Sequence, residues 1–564
     1  MALVASLGLI GQPVAAQPVG PERQAQDVQS RQEQLQRERQ QELIQRQRTA
    51  PAGEPLVLAP TAPADTGACT AVRSVEITGM TQFERSRFER ELAATVGACV
   101  RLGDINALLR AITNAYVGKG LVTSRALVGP QDLSDGVLQI IVVEGELEAV
   151  RSAPGDFSRA QIGLAFPGLA GEDLNLRDLE QGLDQLNRLP SSNAKIDIQP
   201  GQADGASIVL IRRERPSARR VRGSLSADNT GQESTGRVQG TATLDVDNPL
   251  GLADFWSVYY ARDLDDKEEA GTEAFGGFAS LPYGYWTLSV SGGAYSYESQ
   301  IQGLEQTFSS TGESWNALIN LDRLVFRDAD TKLTLSGSLR VNDTQSAIRG
   351  IELRSGTYRL TTAGLAAQLQ QRAGGGLLTA GLGLRAGIDA LGAEAADTGP
   401  DGPSTEFYKL TASLGFQRPG ALLGRDLFYS AQMAAQATDR DVLPAERFSL
   451  GGPSTVRGFS ATGISGDNGL FMRHQLNAPV VRFGEAAGGM PELRLAAFVG
   501  SDSGVIFRDH ADAFERGYLQ SVAAGLEISF ARIEAEITAA APITAPSFVE
   551  YDPVEVTASV RLRL

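Results

Sequence analysis

The sequence predicts an α+β front half followed by an antiparallel β-barrel of about 16 strands, with one loop folded back into the barrel lumen. Three observations carry this reading. Residues 217–564 show short runs with an apolar/polar period of two. Residues 67–216 carry two successive helix-and-strand patterns. The stretch Gly451–Leu476, GGPSTVRGFSATGISGDNGLFMRHQL, is too rich in glycine for an element interior, yet too apolar for a solvated loop. Val456, Phe459, Ile464, Leu470 and Phe471 need cover. Arg457 stands at the apparent tip, and a buried guanidinium needs a carboxylate partner.

A chain of 564 residues exceeds one ordinary domain. Its net charge of −16, without a basic stripe, argues against a nucleic-acid partner. The 62 glycines and 6% aromatic content suit turns and strands rather than a helical bundle. No apolar run approaches the roughly 18 residues of a membrane-spanning helix, which leaves a membrane barrel open because barrel strands are short and alternate. Cys69 and Cys99 are the only cysteines. Behind a secretory start they suggest one disulfide in an oxidising compartment, worth roughly 3–4 kcal/mol by loop entropy. Two unpaired buried thiols are the other reading.

Residues 1–16 read as the end of a signal peptide, a short apolar run closing on Val14-Ala15-Ala16 before Gln17. The positive n-region is missing, so either the start codon is placed too late or this is not a signal peptide. Pro21–Thr49 is Gln, Arg and Glu with strong helix formers, no Gly or Pro after Pro21, and no a/d apolar seam. A helix polar all round must be wet on every side, as in a water-filled pore. A disordered tail with nascent helix is the alternative.

Within 67–148, Val72, Val75 and Ile77 mark a strand ending at Gly79. Phe83–Val96 and Ile105–Val117 read as helices, the second with Ile105, Leu108, Leu109, Ile112 and Tyr116 on one face. Strands follow around Val122–Val128 and Val137–Val143. Residues 149–216 resemble a second copy: Leu176, Leu179, Leu183 and Leu186 have helical spacing, Pro190 stops the helix, and Ala194–Pro200 and Ala206–Arg212 read as strands.

From residue 217 the period is two. Tyr408, Leu410, Ala412, Leu414 and Phe416 alternate with polar or small residues, as do Trp286, Leu288 and Val290, and Ile533, Ala535 and Ile537. A soluble sandwich would alternate in the same way, so the membrane assignment rests on the secretory start and on the loop. At about 22 residues per strand and turn, 217–564 holds about 16 strands.

Val456-Arg457-Gly458-Phe459 followed by Gly466-Asp467-Asn468-Gly469 resembles the signature loop of two-partner secretion transporters, the haemolysin and filamentous-haemagglutinin secretion and activation family of the POTRA-barrel outer-membrane superfamily. In that family the loop arginine pairs with the aspartate of a (Phe/Gly)-x-Asp motif; Gly500-Ser501-Asp502 matches it here. The resemblance therefore implies a loop–barrel lock between Arg457 and Asp502, flanked by Val456, Gly458 and Phe459. The β-α-α-β-β order of 67–148, with Gly120–Arg125 and Leu138–Gly145, resembles the first POTRA domain of these transporters, and 149–216 the second. The same resemblance implies a plug helix over 17–49, a Pro/Ala-rich linker over 50–66, and a barrel over 217–564 opening near Asp228-Asn229-Thr230-Gly231. Barrels of this kind usually end on an aromatic residue. Leu564 departs from that and bears on how the barrel-assembly machinery recognises the chain.

Sites for chemistry are not visible. Gly374-Gly375-Gly376 and Gly381-Leu382-Gly383 lack a following lysine or helix and read as packed glycines. His474 and His510 are the only histidines, too few for a histidine metal site. The expectation is a non-enzyme with no cofactor and no metal site. The resemblance implies an outer-membrane pore with periplasmic POTRA domains, surrounded by outer-membrane lipid. It would export a large exoprotein, an adhesin or cytolysin recognised through its N-terminal secretion domain, without nucleotide. An assembly or insertion factor of the same superfamily is the alternative, against which Pro21–Thr49 argues. A passive porin would not need Gly67–Pro216.

Overall fold

The computed structural model describes residues 69–564, apart from 98, 216–217, 266–269, 303–305, 397–401, 423, 461–462, 484–492 and 508–515. The expected signal peptide, plug helix and linker, and His510, lie outside the described residues.

The first small unit is a three-stranded sheet in which Val137–Val143 runs parallel to Ser74–Thr78 and antiparallel to Arg125–Leu127. Helices α1 (Glu89–Thr95) and α2 (Leu102–Gly118) cover one face. Val75, Leu92, Leu108, Ile112, Tyr116, Leu138 and Ile140 form the core between them. The expected helix over 83–96 is shorter than the pattern suggests. The backbone amides of Thr81 and Gln82 donate to the Glu144 carboxylate at 2.8 and 3.0 Å, and a single 3-10 turn over Arg85–Phe88 precedes α1. Helix α2 starts three residues before the expected Ile105, because the Asp104 carboxylate accepts from the Arg101 amide at 2.9 Å and caps the first turn. A disulfide joins Cys69 to Cys99, with Cα atoms 5.2 Å apart.

The second unit repeats the plan. Ala206–Arg213 lies between Glu146–Ser152, parallel, and Ala194–Pro200, antiparallel. Helices α3 (Arg159–Ala165) and α4 (Leu176–Asn187) pack on it, capped by Ser158 and Asn175. The strand Glu146–Ser152 and helix α3 had no counterpart in the sequence reading. Backbone bonds from Leu174 to Gly145 and from Leu176 to Gly120, both 2.8 Å, tie the two units together.

Among the described residues sixteen strands close into an antiparallel barrel. They are β1 (Val221–Asp228), β2 (Gln239–Asp247), β3 (Phe255–Asp263), β4 (Gly271–Tyr283), β5 (Trp286–Gln302), β6 (Thr307–Arg327), β7 (Thr331–Ile348) and β8 (Tyr358–Ala373). Then follow β9 (Gly376–Gly387), β10 (Tyr408–Leu422), β11 (Arg425–Thr438), β12 (Gly469–Phe483), β13 (Leu493–Ile506), β14 (Gly517–Phe530), β15 (Ile533–Thr544) and β16 (Glu555–Arg563). Closure is between β16 and β1, where Ser559 pairs with Asp228 and Arg563 with Ser224. Beyond that short register the Asn229 side chain continues the seam, bonding the Val556 carbonyl at 3.0 Å and the Ala558 amide at 2.7 Å.

Alternation along the strands now acquires a direction. Leu288, Val290, Ile319, Leu321, Leu410, Leu414, Ile537, Val556 and Val560 are exposed on the outside, whereas Ser289, Ser291, Asn320 and Lys409 face in and are buried. An outer wall this apolar around a polar interior is the arrangement a bilayer demands, and it excludes a sandwich with its apolar face inside. Because the antiparallel strands are even in number, β1 begins and β16 finishes on the same, near, rim, the one that faces the second small unit.

Helix α4 is seated on that rim. Arg188 donates to the Ala253 carbonyl at 2.9 Å and bonds the Ser280 hydroxyl. Arg327 reaches Asp184 at 2.7 Å and Glu180 at 3.1 Å, and Lys332 reaches Asp184 at 2.7 Å. Ala253, Phe255 and Phe278 of the barrel join the core of the second unit. Burial pushes the Arg188 guanidinium down to about 10, against the opposing pull of Asp254 and Asp247, so it stays charged at neutral pH.

Candidate functional site: the loop inside the barrel

The chain between β11 and β12 does not project from the far rim. It turns inward at the short helical turn Pro444–Glu446, forms a small hairpin from Phe448–Leu450 and Ile464–Gly466, and returns to the wall at Gly469. The sequence stretch Gly451–Leu476 is thus two things, an inserted loop and the start of β12. His474 belongs to the strand, not the loop, where its Nδ1 meets the Tyr429 hydroxyl at 2.7 Å.

Arg457 is 7% exposed and points at β13. Its Nε and Nη2 donate to the two oxygens of Asp502 at 2.7 and 2.8 Å, and its own backbone amide adds a third bond at 3.1 Å. Nη1 donates to Gln475 Oε1 at 2.9 Å, and the guanidinium lies 5.5 Å from the centre of the Phe498 ring. Asp502 is fully buried, and Arg473 Nε approaches its Oδ1 at 3.3 Å. A two-pronged, desolvated pair with its remaining lone pairs occupied meets the conditions under which a buried ion pair holds its geometry.

The flanking residues explain themselves. Val456 and Phe459 are buried with Leu450, Ile464, Ile506, Leu519 and Val549. Phe459 packs edge-on against Tyr551 at 5.7 Å. Gly458 has φ of +90°, a conformation side chains rarely adopt, and sits against Pro542. Gly500, the first residue of the aspartate motif, leaves the space the guanidinium fills: a Cβ there would lie 2.5 Å from Arg457 Nη2.

A second anchor, which the sequence reading missed, holds the loop's other side. Glu446 is buried, and its carboxylate takes Arg385 Nη1 of β9 at 2.9 Å together with the Lys409 ammonium of β10. Ser460 donates to Glu555 of β16 at 3.1 Å. The loop therefore spans the lumen from β9 to β16. Nothing in local spacing links Glu446 to residues 61 and 37 positions earlier; only barrel register brings them together. Among the described residues no group of acidic, histidine or cysteine side chains is arranged to hold a metal ion.

Comparison with known proteins fits this geometry. The sequence profile of the Haemolysin secretion/activation protein ShlB/FhaC/HecB family matches residues 205–528, and ShlB-type and general POTRA profiles match 70–145 and 146–200. The chain is similar to Outer membrane transporter CdiB of Escherichia coli, 32% identical over 94% of this chain and 88% of that one. It is also similar to Hemolysin transporter protein ShlB of Serratia marcescens, 33% identical over 75% of each. The solved structure of CdiB from Escherichia coli superposes with a TM-score of 0.87, covering 97% of this chain and 100% of the other at 31% identity. CdiB from Acinetobacter baumannii shares the fold with a TM-score of 0.76 at 23% identity. With two POTRA domains, a sixteen-stranded outer-membrane barrel and an inserted arginine loop, the chain belongs to the haemolysin secretion/activation protein family of two-partner secretion transporters.

Proposed function

We propose that this transporter passes one unfolded exoprotein through its lumen from periplasm to cell surface. The POTRA pair would receive the exoprotein's N-terminal secretion domain, and the loop held by Arg457–Asp502 would be the part that moves or is bypassed. The observation carrying this reading is the loop itself: it lies inside a polar-walled pore and is fastened by buried charges to the wall at β9 and β10 and again at β13. Outer-membrane lipid contacts the apolar outer wall, and the barrel-assembly machinery inserts it. Catalysis and nucleotide hydrolysis have no part in this reading; folding of the exoprotein outside the cell drives export.

The test is export of the cognate exoprotein by Arg457→Ala, run beside single-channel conductance in planar bilayers. Loss of secretion with the barrel still inserted, and a raised or unsteady conductance, supports the lock. Normal secretion by the inserted variant overturns it. Conductance of the chain lacking Pro21–Thr49 separates the loop from the proposed plug: an unchanged current assigns the block to the loop alone.

A further inference from the structure

A cleft of about 740 Å³ opens at the near rim between the second POTRA domain and the outside of the barrel wall. Its wall side carries Tyr283, Trp286, Arg323, Val325 and Phe326, its domain side Arg177, and Lys119 of the first domain lines it as well. Trp286 and Arg323 are directly opposite in the β5–β6 register, and the guanidinium lies 4.8 Å from the indole centre. A bulge between Leu324 and Phe326 breaks the alternation, so Val325 and Phe326 both face outward. Tyr283 is 55% exposed beside them. Aromatic side chains ringing a barrel at the end of its apolar wall mark the bilayer interface.

The cations at this level differ in what they face. Arg327 is taken up by Glu180 and Asp184, and Arg177 by Glu180. Asp178, the cleft's carboxylate, accepts the Tyr285 hydroxyl at 2.5 Å. Arg323 is exposed, and among the described residues no carboxylate pairs with it. Lys119 donates to the neutral Gln82 amide at 2.6 Å and lies 5.5 Å from the centre of the Phe83 ring. The lining of this one cleft thus holds two cations without a carboxylate partner, in a chain whose net charge is −16.

We propose that this cleft binds the headgroup of an anionic phospholipid from the periplasmic leaflet. Arg323 takes the phosphate with its planar fork, Lys119 supplies the second positive charge, and Trp286 and Phe326 pack on the glycerol and upper acyl chain. The site is continuous with the lipid-covered outer wall, so the ligand needs no separate route of delivery. One wall of the cleft is POTRA domain and the other is barrel, so the bound lipid touches both.

The test is native mass spectrometry of the full-length protein released from mixed micelles containing equal phosphatidylglycerol and phosphatidylcholine. The wild type should retain phosphatidylglycerol in preference, and the Arg323→Gln/Lys119→Gln variant should lose that excess by about tenfold. Arg151→Gln, an exposed arginine elsewhere on the second domain, should retain it. Equal retention of both lipids by the wild type, an unchanged excess in the double variant, or the same loss in Arg151→Gln overturns the site. Displacement of phosphatidylglycerol by glycerol phosphate at equal concentration also overturns it, since the ligand would then be a soluble phosphate. Both substituted positions are exposed or hydrogen-bonded to a neutral amide, and folding is checked by the mobility of the unheated barrel on a gel.

Discussion

At Arg457 the chemistry alone called for a carboxylate, since a buried guanidinium demands one, and it was the resemblance to the transporter family that pointed to Asp502, whose two oxygens take the guanidinium while the Arg457 backbone amide adds a third bond. Breaking such a pair strands a buried charge at a cost of about 3–5 kcal/mol. Gly500 belongs to the same unit, since even a methyl group there would collide with Nη2 and with the His474 carbonyl, 2.8 Å away. Gly500→Ala is therefore expected to lower the melting temperature of the purified barrel about as much as Arg457→Ala. The double variant should lose less than the sum of the two, because removing the guanidinium relieves one of the two clashes and leaves the one with the His474 carbonyl. Additive losses would show that Gly500 acts through something other than the pair. Glu446 was illegible because no such motif marks it: its partners Arg385 and Lys409 sit on strands β9 and β10, and their proximity is a property of register, not of spacing along the chain.

Among the elements, the strands were the most legible. A two-residue period survives on a wall that is lipid on one side and polar on the other, as the outward Leu410 and inward Lys409 show. The helical modules were read less completely. Helix α3 is seven residues long and offers too few turns for a period, and α1 begins late because Glu144 captures the amides before it. Burial raises the Glu144 carboxyl, but hydrogen bonds from Thr81, Tyr116 and the amides of Thr81 and Gln82 outweigh it and hold the group below its ordinary value. Burial and that same bond to Glu144 hold the Tyr116 phenol above its own. A carboxylate depressed in the folded state stabilises at pH above its unfolded value, about 4.3, and loses that contribution as pH falls through the folded value. Glu144→Gln should thus cost about 1–3 kcal/mol at pH 7 and little at pH below the folded value. Hydrogen exchange read at Thr81 and Gln82 in the full chain checks this. A penalty that persists undiminished in acid would mean the carboxylate's charge is not what holds the turn. Tyr116 titrates only in strong alkali and leaves that window clear.

On the scale of the whole molecule, two junctions decide what can move. Helix α4 is bound to the near rim by Arg188, by the Asp184 pairs with Arg327 and Lys332, and by a shared apolar core, so the second POTRA domain and barrel form one continuous body. The β16–β1 seam is the weaker junction. Its register runs only from Ser559–Asp228 to Arg563–Ser224, and β13 pairs with β14 along the whole length of both strands. A short seam would let a barrel open sideways, as an insertion factor requires, whereas export through the lumen leaves it closed. Ser226 and Arg561 are opposite each other in that register and both face in. Paired strand positions lie about 4.5–5.5 Å apart at Cα, within reach of a disulfide. The Ser226→Cys/Arg561→Cys variant, oxidised, is expected to export the exoprotein at the rate of its reduced form, because the passenger passes along the axis and not through the wall. Secretion that stops on oxidation and returns on reduction would place the route at the seam and make the lateral, assembly-type mechanism the better account of this chain.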